Sequence, residues 1–150
     1  MRNTSPIPDS HREEAIPSTA TWMPIILKWA GCYNLAWGGL VVLFPQQSLS
    51  WMNLPAINYP GIWQGLGMVI GVYGLGYWIA SRDPLRHWPI VFVGFLGKIF
   101  GPIGMVVAVS KGEFPATAFW TCVTNDLIWW IPFGMLLLKA SKVQYSRILK

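Results

Sequence analysis

Along the chain, polar residues almost vanish from four stretches, at roughly 24–44, 61–80, 89–109 and 118–138. Each is close to the ~20 residues that carry an α-helix across the ~30 Å hydrocarbon core of a bilayer. Helix is the element these runs predict, because an open strand would leave backbone groups unpaired in lipid. Internal Gly and Pro do not weaken the assignment, since membrane helices tolerate both. The pattern therefore predicts an all-α fold, a polytopic four-transmembrane-helix bundle occupying 22–140. A polar tail rich in Ser, Thr and Pro precedes it at 1–21, with the composition of a flexible segment. A basic tail follows at 141–150. No apolar run begins near the start, as a secretory signal would require.

The polar positions between the runs set the orientation. Arg2, Arg12, Lys28, Arg82, Arg86, Lys139, Lys142, Arg147 and Lys150 fall on one side if both termini are cytoplasmic. Lys111 alone is opposite and Lys98 lies within a run. Basic residues concentrate on the cytoplasmic side of membrane proteins, so both termini are expected inside. The connection at 45–60 has no charged residue and contains Trp51 and Tyr59. It is expected to lie in the outer interface, where Trp63 and Trp120 extend an aromatic belt. Trp22, Trp29, Trp78 and Trp88 would form the inner belt.

Composition sharpens this reading. The 150 residues are 53% hydrophobic and 11% charged, whereas a soluble domain carries about 25% charged residues. The net charge of +5 sits at helix ends and forms no stripe of the kind that neutralises phosphates. Nucleic acid is thus excluded as a partner, and the bilayer is the expected one. Cys32 and Cys122 form no CxxC motif, and neither metal nor haem ligation is indicated. Cys32 would lie ~10 Å from the inner boundary and Cys122 ~6 Å below the outer one. They are too far apart for a disulfide, so two free thiols in apolar packing are expected, and no cofactor.

Two ionisable residues remain deep in the runs, Lys98 and Asp126. A charge at mid-membrane costs at least ~2.5–3.5 kcal/mol on insertion scales, so each should face the bundle and find a partner. Their depths differ by only ~4 Å, within reach of a lysine side chain, which predicts a buried polar pair. Asn34, Tyr73, Thr121 and Asn125 fall at neighbouring levels. Gly94, Gly97, Gly101 and Gly104 surround Lys98 in sequence, with Gly97 and Gly101 a small-xxx-small pair. Gln64, Gly67, Gly71 and Gly74 share one face of the second run, and Gly31, Asn34 and Gly38 one face of the first. Such faces let helices approach closely. Pro102 and Pro132 each remove a backbone donor, and the first would free carbonyls within a turn of Lys98.

The stretches NYPGIWQGLGMVIGVYGLGYWIA (58–80), RHWPIVFVGFLGKIFGPIG (86–104) and NDLIWWIPF (125–133) resemble a small bacterial family of four-helix membrane proteins. The resemblance runs from Trp29 to Leu138. It implies a multi-pass protein of the bacterial inner membrane, and some members carry the label alkyl hydroperoxide reductase. A peroxidase of that type uses a soluble thioredoxin-like domain with a reactive, accessible cysteine, and the residues here supply neither. The resemblance transfers no catalytic residues. The expectation is an uncharacterised, non-enzymatic accessory or assembly subunit, as a homo-oligomer or with a membrane protein partner. The alternative is a small carrier, or an enzyme for a lipophilic substrate, using Lys98 and Asp126.

Overall fold

The computed structural model describes residues 19–148, which form helices joined by short turns, with no strand among them. Helix α1 spans Trp22–Leu43, α2 Pro45–Trp51, α3 Pro60–Ala80 and α4 Trp88–Ser110. A 3-10 turn at Ala116–Ala118 then leads into α5 at Phe119–Cys122, a π-helical turn at Val123–Leu127 and α6 at Ile128–Ile148. Three helical stretches are long and apolar enough to cross a membrane: Trp22–Leu43, Trp88–Ser110 and the rod Ala116–Ser146. Helix α3 is 21 residues long and uncharged. Its glycines, Gln64 and aromatic residues lower its mean hydropathy, so it is not among the three. Nearly all of the polar tail at 1–21 lies outside the described residues.

Helices α1 and α3 pack backbone to backbone. A Cβ placed on Gly38 would stand 2.5 Å from the Gly67 carbonyl oxygen and 2.8 Å from the Gly71 nitrogen, and one on Gly74 would stand 2.8 Å from the Gly31 oxygen. A polar bond ties the seam where α1 ends and α3 begins, Gln64 Nε2 donating to the Val42 carbonyl at 2.9 Å. Gly97 and Gly104 of α4 take no part in comparable packing, because a Cβ on either meets nothing within 4 Å.

The core lies between α1, α3, α4 and α6. Met23, Leu27, Tyr77, Phe133, Leu136 and Val143 are among its buried members. Phe133, Leu136, Ala140 and Val143 follow at steps of three and four residues, so they share one face of α6. Helix α6 continues through Ile148 and buries Val143, so the stretch 141–148 is helical.

A helix within 45–60 was not foreseen. Pro45 opens α2 at its first turn, where the missing N–H costs nothing. Leu49 and Met52 then pack with Ala118 in a second, smaller cluster. Trp63 Nε1 donates to Ser48 Oγ at 2.8 Å, and Asn53 Nδ2 to Thr117 Oγ1 at 3.3 Å. Helix α4 stops at Gly112, whose φ of 72° is left-handed. Glu113 N–H there donates to the Ala108 carbonyl and Gly112 N–H to that of Val109. This is a Schellman ending, in which glycine bears no Cβ penalty.

Candidate functional site

The buried residues of α4 are Val91, Gly94, Lys98 and Pro102. Steps of three and four residues place them on one stripe facing the bundle. Lys98 is 3% exposed and Asp126 is 6% exposed. The Lys98 ammonium donates to the backbone carbonyl of Asn125 and stands 4.0 Å from Asp126 Oδ1. It also lies 5.9 Å from the ring centroids of both Tyr77 and Trp129, within range of cation–π attraction. Asn125 Nδ2 donates to Asp126 Oδ1 at 2.8 Å.

Two interruptions of helical hydrogen bonding build this site. Pro102 has no N–H, so the carbonyl of Lys98, four residues earlier, loses its partner within the helix. Trp130 Nε1 donates to that oxygen at 2.9 Å. The π-helical turn at Val123–Leu127 shifts the backbone ladder of the facing rod by one residue, a feature frequent at functional sites. Around it, the Thr124 carbonyl accepts from Trp129 Nε1 at 3.2 Å, and the Asn125 carbonyl accepts from Lys98. In a dry interior every such group needs a partner, and here indoles and an ammonium provide them.

The indole bond gives a direct prediction. Trp130→Phe retains an aromatic ring but leaves the Lys98 carbonyl without its donor. A cost of about 1–3 kcal/mol is expected, read as a lowered unfolding midpoint in detergent. An unchanged midpoint would mean that this bond contributes nothing.

Aromatic rings close the site towards α1 and α6. Tyr77 meets Phe133 edge to face at 5.1 Å, while Trp129 lies 6.2 Å from Tyr33 and 6.1 Å from Phe133. Tyr33 Oη donates to Thr124 Oγ1 at 3.0 Å. Tyr33 and Thr124 also line a cleft of about 250 Å³ together with Trp51 and Trp120. Grooves of about 700 Å³ and 720 Å³ run along α3–α4 and α4–α6, and neither is lined by Lys98 or Asp126.

Of the residues marked from the sequence, the structure brings together Lys98, Asp126 and Asn125. Thr121 is turned back to its own helix, donating to the Ala118 carbonyl at 2.7 Å. Tyr73 is half-buried beside the core and forms no bond with the pair. Asn34 is buried, and its Oδ1 has no partner among the described residues. Tyr77, Trp129, Trp130 and the Tyr33–Thr124 bond were missed. Tyr77 follows Tyr73 by one helical turn, and that spacing was the available signal. Both cysteines are free, with Cys122 buried and Cys32 exposed on α1, so only Cys122 occupies the apolar packing expected of both. Among the described residues no cluster of three metal-ligating side chains occurs. No family model, curated protein or solved structure matches the chain.

Proposed function

We propose that the chain is a four-span integral membrane protein with cytoplasmic termini, acting as a non-enzymatic accessory or assembly subunit of the bacterial inner membrane. The observation that carries this reading is how the buried charges are used. The ammonium is bonded to a backbone carbonyl of the facing rod and stands near two rings, so the pair joins α4 to that rod. The carrier or enzyme reading requires a route to Asp126, and none of the cleft and grooves described above is lined by that residue.

Helix α3 supports the fourth crossing. Its 21 uncharged residues would rise ~31 Å, matching the hydrocarbon core. It also packs along α1, which is long and apolar enough to span. The distribution of basic residues supports the orientation, and the resemblance to the four-helix family agrees with both proposals.

Topology is tested by single cysteines in a Cys32→Ser, Cys122→Ala background. Lys111→Cys should react with an impermeant maleimide on intact cells, and Arg82→Cys and Lys142→Cys only after permeabilisation. Labelling of Arg82→Cys in intact cells would remove α3 as a crossing. Purification in a mild detergent tests the accessory role. Recovery within a larger assembly is expected, and a solitary monomer would overturn it.

A further inference from the structure

The cleft of about 250 Å³ is built by four segments. Tyr33 and Trp37 stand one helical turn apart on α1, and Trp51 and Met52 lie at the end of α2. Trp120 and Thr121 come from α5, and Thr124 from the π-helical turn. The bond from Asn53 to Thr117 holds the end of α2 against the start of the rod. Of these seven lining residues four are aromatic and none is charged.

The protein leaves the three indoles unused. Among the described residues no ring pairs with Trp37, Trp51 or Trp120, and none of their N–H groups donates a hydrogen bond. Trp63, Trp78, Trp129 and Trp130, by contrast, each donate to a protein oxygen. The hydroxyl groups of the cleft are already committed as donors. Tyr33 donates to Thr124, Thr121 to the Ala118 carbonyl and Thr124 to the Thr121 carbonyl. The uncommitted donors are therefore indole N–H groups, which call for an acceptor, and the unpaired rings suit a flat partner.

Charge and depth narrow the occupant. No charged residue lines the cleft or occurs in the connection at 45–60. A buried phosphate or carboxylate would lack a counterion there. Tyr33 lies in α1 ten residues before its last residue, Leu43. Those ten residues rise ~15 Å, half of the hydrocarbon core, whereas a phospholipid headgroup stays at the interface. An acyl chain reaches that depth but offers no acceptor. A neutral ring bearing carbonyl groups meets both demands, in the mostly apolar setting with a few polar groups typical of ligand sites.

We infer that the cleft binds the head ring of an isoprenoid quinone, stacked on the indoles and accepting from their N–H groups. The site shares no lining residue with the Lys98–Asp126 pair, so it is independent of the accessory-subunit reading.

The test uses the full chain in lipid nanodiscs, labelled by a photoreactive azidoquinone and mapped by peptide mass spectrometry. Labelling should saturate, fall on the peptides that carry Trp37, Trp51 or Trp120, and be displaced by decylubiquinone. Decylbenzene, which has a ring and a tail but no carbonyl, should not displace it. Trp51 and Trp120 are 64% and 71% exposed, so replacing either by Leu spares the fold and should weaken binding about threefold to tenfold. Trp37→Phe keeps a ring, loses the donor and should weaken it about threefold or more. Trp29→Leu, at a position 66% exposed on α1 but outside the cleft, should change nothing. Labelling that rises linearly with probe would mean partition into the bilayer only and would overturn the inference. So would displacement by decylbenzene or by a short-chain phospholipid, or full binding by both Trp51→Leu and Trp120→Leu.

Discussion

Lys98→Met is expected to destabilise the folded chain by about 3–5 kcal/mol, the cost of leaving one member of a buried ion pair alone. Asp126→Asn should cost less. After that change the ammonium retains the Asn125 carbonyl and the faces of Tyr77 and Trp129. After Lys98→Met the carboxylate retains only the Asn125 amide. The double variant should lie above Lys98→Met, because it removes both charges and leaves no buried ion without its counterion. Unfolding in detergent with increasing denaturant, followed by tryptophan fluorescence, gives the three midpoints. Equal and additive losses would show that the two charges do not interact across the 4.0 Å between them.

The pair was legible in the sequence for a simple reason. Two charges in otherwise apolar runs must be buried towards protein, and a fixed rise per residue converts sequence position into depth. The contacts that complete the site were not legible in this way. Helical periodicity could place Lys98 on a stripe with Gly94 and Pro102, and proline chemistry could free the Lys98 carbonyl. Which group would answer that carbonyl depended on the azimuth of Trp130, and a π-helical turn shifts azimuth by a residue's worth of rotation. No residue type in VTNDL announces such a turn. The same limit applies to Asn34. Its depth suits the pair, but rotation about α1 decides its neighbours, and its Oδ1 has no partner among the described residues.

Glycine spacing was similarly ambiguous. Gly31 and Gly38 on α1, and Gly67 and Gly74 on α3, seat another backbone, whereas Gly97 and Gly104 on α4 face open space. A small-residue motif shows that a helix can approach closely, and which helix does so is set by the rest of the packing. At Lys139 and Lys142 the charges gave no sign that Ala140 and Val143 continue the core beyond them.

The α1–α3 seam yields the second large effect, using two adjacent glycines. Gly38→Ala and Gly39→Ala make the same chemical change on the same helix, so any gain in helix propensity, at most ~1 kcal/mol, is shared. Their surroundings differ. The new methyl at 38 meets the Gly67 oxygen and the Gly71 nitrogen, both rigid backbone atoms, while at 39 it meets nothing within 4 Å. Only displacement of one helix can relieve the first clash, and overpacking of this kind costs about 1–3 kcal/mol, sometimes more. Gly38→Ala should therefore lower the unfolding midpoint sharply, and Gly39→Ala should leave it unchanged or raise it. The displacement should also weaken the bond from Gln64 to the Val42 carbonyl, making α3 the first helix to exchange its amide hydrogens. Equal midpoints for the two variants would mean that α1 and α3 do not approach at Gly38, and the support that this seam gives to α3 as a fourth crossing would go with it.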